Sequence, residues 1–254
     1  MKLSHTIQLT NTLVISGISV LVWVLLLINP GGIMTIEHCH VSDAGASAKS
    51  LKMLLDMNPF SSQLLGWGLM VVAMMLPKLI MPIEHIYLHS FKRLRLVSAS
   101  LFVLGYMTVW MVAGVFMITV ILGLHLYLPN SFLPAIVVGG LAVVWQFSPV
   151  KQIFLNRGHH HPSLAAFGKK ALQDALLFGV THGVWCVGAG WALMLFPMLL
   201  PQGHNAAMLV VTFIMISEHM EHPRMPQWYF SFRLKLLRIL IAQTKIRLNL
   251  SGHE

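Results

Sequence analysis

Charge is scarce in this chain. Only 10% of its 254 residues are charged and 8 are Asp or Glu, whereas 56% are hydrophobic. A soluble domain needs far more polar surface than this, so the composition excludes one. The carboxylates form no pair of the kind general acid–base chemistry uses. Nor is there a nucleophile and base at a recognisable spacing, a Walker-type glycine loop or a convincing serine-hydrolase elbow, so activity as a stand-alone enzyme is not expected. Cysteine occurs twice, at Cys39 and Cys186, which rules out a disulfide framework. One falls in a loop and the other deep in an apolar run, too far apart in depth to bond to each other. No internal repeat is present.

Long apolar runs take the place of what is missing. The criterion of about 20 apolar residues per membrane crossing selects Thr12–Ile28, Ser61–Pro82, Ser100–Leu122, Phe132–Phe147, Ala171–Leu200 and Ala206–Met220, the fourth and sixth being short. After the first run, Asn29, Pro30, Gly31 and Gly32 do not form a small-x-small cleavage pattern, so this segment is expected to be retained. The expectation is an all-α, multi-pass inner-membrane protein of bacterial type, with a bundle of six transmembrane helices over residues 1–223.

The 17 Lys and Arg set the orientation. With the N-terminus in the cytoplasm, all but Lys49, Lys52 and Lys78 fall on cytoplasmic segments, and the excess of basic residues inside places both termini there. The net charge of +9 is then explained by topology, and no nucleic-acid partner is needed. Pro223 and Pro226 end the sixth run. The segment that follows, residues 227–250, alternates basic residues with Leu and Ile behind Trp228 and Tyr229, the pattern of an amphipathic helix lying on an anionic lipid surface.

Histidine and methionine are abundant, at 14 and 17 residues. Met70, Met74, Lys78, Met81, His85 and His89 follow one another at helical steps, as do Met208, Met215, His219 and His222. Methionine is also an ordinary filler of irregular gaps, so the stripes alone do not establish ligands. The sixth run is so short that a crossing helix draws Glu218, His219, Glu221 and His222 toward the membrane, where a carboxylate requires a partner. Lys78 is the expected partner of Glu218.

The fifth run carries the most specific pattern. His182 and Cys186 are four residues apart, which stacks an imidazole and a thiol on one helix face, with Asp174 nearer the entrance of the same helix. In the long loop between the first two runs, Glu37, His38, Cys39 and His40 offer ligands suited to Cu(I) or Zn(II). The histidine run His159–His161 lies in a cytoplasmic loop and is a weak metal signal.

The segments MMLP (Met74–Pro77), GYMTVW (Gly105–Trp110), WQFSPVK (Trp145–Lys151) and THGVWCVGAGWALM (Thr181–Met194), with Asn205 and Glu218, occur in an order that resembles a bacterial family of predicted metal-binding integral membrane proteins of unassigned function. The similarity runs from Gly66 to Pro223 and retains Gln146, Pro149, Lys151, His182, Cys186, Gly188, Trp191 and Met194. Where that family's pattern has further cysteines, this chain has Ala189 and Gly190, and its loop after Lys151 has Arg157 and His159–His161. The resemblance implies metal binding, and the substitutions imply a ligand set moved from thiolate toward His and Met, which favours copper.

The leading expectation is therefore binding, transport or delivery of a transition metal, most plausibly a copper ion, in metal homeostasis. Glu37, His38, Cys39 and His40 would capture it, His182, Cys186 and Met74 would hold it, and His219, His222, His85 and His89 would receive it, with Glu218 among the candidate ligands. Zinc and haem b are the alternative cofactors. The alternative roles are a haem-binding, accessory or structural subunit, or an assembly factor, of a larger membrane redox complex, with other subunits of that complex as partners beside the lipid bilayer.

Overall fold

The computed structural model describes residues 2–28, 52, 55, 56, 59–128, 131–228 and 235–251, and among these only helices and their connections occur. Helix α1 (Lys2–Ile28) shows why they associate as they do. Ile15, Ser19, Val22 and Leu26 recur at steps of four, three and four and are buried, whereas Leu13, Val14, Val20, Leu21 and Val24 are exposed. A single narrow stripe faces protein. Exposed leucines and valines on the rest of the surface are favourable where the surroundings are hydrocarbon.

Helix α2 (Phe60–Met75) passes through a 3₁₀ turn (Leu76–Leu79) into α3 (Ile80–His89). Pro77 has no N–H to give the Ala73 carbonyl four residues back. Ser19 Oγ of α1 donates to that same carbonyl at 2.6 Å, so the vacated acceptor is satisfied from the neighbouring helix. Ser19→Ala should therefore lower stability by about 1–3 kcal/mol, the cost of a buried carbonyl left unsatisfied. Chemical denaturation in detergent micelles checks this, and an unchanged midpoint would mean that Ser19 is not what holds the break at Pro77.

The 3₁₀ turn also corrects the expected Met/His stripe. Met70, Met74 and Met75 are fully buried, but past the turn Met81 is 61% exposed and His89 faces solvent. A turn of three residues instead of 3.6 rotates everything beyond it, so one continuous face does not survive.

The longest elements, α4 (Arg95–Tyr127) and α7 (Gly168–Met198), pack against each other. Their 33 and 31 residues reach roughly 50 and 46 Å at 1.5 Å per residue. Small residues permit the approach: a Cβ at Gly105 would lie 2.6 Å from the Leu176 carbonyl oxygen, and one at Gly179 would run into the Phe102 carbonyl. This contact is what brings Phe102 and Tyr106 of α4 against Phe178 and His182 of α7.

Helix α5 (Leu133–Phe147) occupies the expected fourth run but then turns by 68° into α6 (Pro149–Gly158). The local cause is chemical. Ser148 is extended, its Oγ accepts the Lys151 N–H at 3.1 Å, and Pro149 takes the first helical position, where an N–H is not missed. Helix α8 (His204–His219) starts after Gly203, whose φ of 78° lies in the left-handed region. Helix α9 (Lys235–Ser251) is fastened to the end of α8, the Leu236 N–H donating to Ser217 Oγ and Lys235 Nζ to the Met220 carbonyl.

Among the described residues, four segments are long and apolar enough to cross a membrane: α1, α2 with α3, α4 and α7. The bent pair α5 and α6 makes a fifth if it counts as one crossing. Helix α8, with 16 residues, is about 24 Å long and is not among them.

Candidate metal centre

At the end of the bundle where α3, α6 and the last turn of α8 meet α7, buried polar side chains gather. The bend at Ser148 places Gln146 and Lys151 on either side of a corner, both facing Glu218 of α8. Lys151 and Glu218 are buried and form an ion pair at 2.8 Å. Lys151 Nζ also donates to the Gln146 side-chain oxygen at 2.5 Å, and the Gln146 amide donates to Glu218 Oε1. Glu218 is thus held by Lys151 and Gln146, where Lys78 was the expected partner.

Lys78 points elsewhere. The 3₁₀ turn directs it to α7, where Nζ donates to Cys186 Sγ at 3.4 Å, and the Tyr106 hydroxyl donates to the same sulfur at 3.2 Å. One turn away on α7, His182 is buried among the rings of Phe102, Tyr106 and Phe178, each centroid 5.9 Å from its own. The His219 ring of α8 stands nearly perpendicular to it, 87° apart in plane with centroids 6.4 Å apart. His182 and Cys186 share a helix face and also share Tyr106, whose ring flanks the imidazole while its hydroxyl reaches the sulfur.

His182 is not sealed in the core. It forms part of the wall of a cavity of about 380 Å³ between α6, the loop after it and α7, lined also by Arg157, His160, Asp174, Thr181 and Trp185. Asp174 pins the loop by accepting the Ala165 N–H at 3.1 Å, and the Arg157 guanidinium lies 4.7 Å over the Trp185 ring.

The histidine loop, weakly marked in sequence, is drawn into this cluster. His159 stacks on His219 at 5.2 Å, and its two ring nitrogens lie against the carbonyls of Leu155 and His219, so both already have a backbone neighbour. His161 lies 4.9 Å from the His85 ring, and His89 lies 4.2 Å from it on the other side. Desolvation, with His85 beside it, lowers the His161 imidazole from its usual range. His222 is exposed, beside a small cleft lined by Glu218 and His159. Among the described residues, no three His, Cys, Asp or Glu side chains converge as a ready-made metal site.

Met74, Met194, Met208 and Met215 are buried. A Cβ on Gly190, one of the two positions where the resemblance places cysteine, would collide with the terminal methyl of Met215. Met215 of α8 thus fills the space that a side chain at position 190 would need. Glu37, His38, Cys39 and His40 lie outside the described residues.

Sequence reasoning missed the roles of Gln146, Lys151, His159 and His161. The first two stood in the retained WQFSPVK segment, and the last two in the histidine run before Pro162.

The profile of a family described as PpoB2, copper chaperone, matches residues 64–231, which include every element of this cluster. Neither a curated protein nor a solved structure matches the chain.

Proposed function

The chain belongs to the PpoB2 copper-chaperone family, and from that premise we propose that it is a membrane copper carrier that holds one Cu(I) between His182 and His219. The observation that carries this reading is their arrangement. Two imidazoles bound in line to one ion, with metal–nitrogen bonds of about 2 Å, have ring centroids roughly 6 Å apart, close to the 6.4 Å found here. Cu(I) is a d¹⁰ ion with no ligand-field demand for four donors, and it accepts imidazole and soft sulfur ligands. Two-point ligation suits a carrier, because a partner's ligand arriving through the cavity beside His182 has an open position to attack.

The rest of the path is assigned on the same basis. Cys186, one turn from His182, is the sulfur station on the inner side. A thiol must lose its proton to bind the ion, and the Lys78 ammonium supplies the compensating charge. Met74 and the other buried thioethers give soft surroundings, and Glu37, His38, Cys39 and His40 collect or discharge the ion at the opposite surface. The excess of basic residues supports a reading in which the histidine end and both termini face the bacterial cytoplasm, with six crossings of which α8 is the short one and α9 lies on the lipid surface.

Metal analysis of untagged purified protein tests the reading. Wild type should retain copper, and His182→Ala should lose most of it without a change in zinc. Equal copper in the two proteins would remove the site.

A further inference from the structure

We propose that the cavity beside His182 is the binding site of a small zwitterionic thiol, cysteine or a short cysteinyl peptide, which exchanges Cu(I) with the deep station at His182 and His219. The thiol part of this assignment rests on the reading that copper is the cargo, whereas the zwitterion part rests on the cavity itself. Two charges carry it. Arg157 and Asp174 both line the cavity, yet they form no ion pair with each other, and among the described residues no other carboxylate pairs with Arg157. Opposite charges thus share one cavity without cancelling.

Each charge is held in place before a ligand arrives. The Arg157 guanidinium lies 4.7 Å over the Trp185 ring, a contact that restrains it while leaving its N–H donors to take a carboxylate through two parallel hydrogen bonds. Asp174 Oδ2 accepts the Ala165 N–H at 3.1 Å. That bond fixes the carboxylate and leaves Oδ1 to accept from an ammonium. One ligand carrying a carboxylate and an ammonium answers both, which is the description of an amino acid or short peptide. The volume of about 380 Å³ lies near the lower end of the roughly 300–1,000 Å³ typical of ligand sites. It suits such a molecule and has no room for a folded domain.

His182 accounts for the sulfur. It forms part of the same wall, and none of the described residues hydrogen-bonds its ring nitrogens. The thiol of Cys186 is already engaged by Lys78 and Tyr106, so a sulfur that meets copper on His182 from the cavity side comes with the ligand. Thiolate is a soft donor matched to Cu(I), and it adds as a third ligand where two imidazoles leave a position open. Release is then a ligand exchange. The thiol gives its proton to water, the copper–sulfur bond forms, and the two copper–nitrogen bonds break. The ion stays Cu(I) throughout, so neither oxidant nor reductant is needed, and loading is the reverse.

Isothermal titration of the metal-free, full-length protein in detergent with S-methylglutathione tests the cavity, because this probe keeps the carboxylates and ammonium but has no thiol. Wild type should bind it at one saturable site. Arg157→Gln, and Asp174→Asn, whose amide oxygen can still accept the Ala165 N–H, should each weaken binding at least tenfold with no change in thermal unfolding. No binding, or equal binding in all three proteins, would overturn the proposal. The thiol is tested by copper release from the loaded protein. The rate should saturate with reduced glutathione but rise linearly with 2-mercaptoethanol, which has the thiol and neither charge. The same concentration dependence for both would overturn the exchange role. If S-methylglutathione binds as expected while His182→Ala keeps all its copper, the zwitterion site stands and the two-imidazole reading falls.

Discussion

Lys151→Met should destabilise the protein by about 3–5 kcal/mol, one of the two largest effects expected in this molecule. Lys151 and Glu218 are buried, and their ion pair lies where water does not replace a lost partner. Removing the ammonium leaves a carboxylate with only the Gln146 amide for company, in a medium that penalises an unpaired charge heavily. Removing both charges is a different experiment. Lys151→Met with Glu218→Leu deletes the desolvation cost along with the attraction, so most of the lost stability should return. Thermal unfolding in a mild detergent, followed by the fraction remaining monodisperse, distinguishes the cases. A single variant as stable as wild type would mean that the pair does not hold the corner between α5, α6 and α8. Because His219 follows Glu218 directly, the single variant should also loosen copper, and the double variant should recover part of that binding.

The second large effect concerns copper itself. His182→Ala and His219→Ala should each lower Cu(I) affinity at the deep station by two orders of magnitude or more, since loss even of an outer-shell partner of a metal ligand typically costs 10–100-fold. The two losses should not add. With only two donors, removing either leaves a one-point contact, so the double variant should bind little worse than either single one. His222→Ala is the internal control: the ring is exposed, and its loss should leave the deep station unchanged. If His219→Ala binds like wild type while Cys186→Ser fails, the resting ligand of His182 is the thiol one turn along its own helix.

Much of the architecture was readable from length and hydropathy, because apolar runs that must cross a bilayer satisfy their backbone as helices. The stacking of His182 and Cys186 on one face of α7 follows from helical spacing alone. What escaped was set by tertiary contacts. Ser148 and Pro149 advertise a helix start, but the 68° turn they introduce, and hence the meeting of Lys151 with Glu218, depends on how α6 packs on α7. The Met/His stripe failed at Pro77 for a reason visible in the sequence: a proline there removes one backbone bond, and the 3₁₀ turn that results rotates Met81 outward. His159 and His161 looked like a variable loop because nothing local indicates that the loop folds back onto α3 and α8.

Copper K-edge X-ray absorption on protein loaded with less than one equivalent of Cu(I) tests the central claim most directly. The account requires a spectrum dominated by two imidazole nitrogens at about 1.9–2.0 Å in near-linear arrangement, lost in His182→Ala and in His219→Ala. A first shell dominated by sulfur, or one unaffected by either substitution, would contradict it.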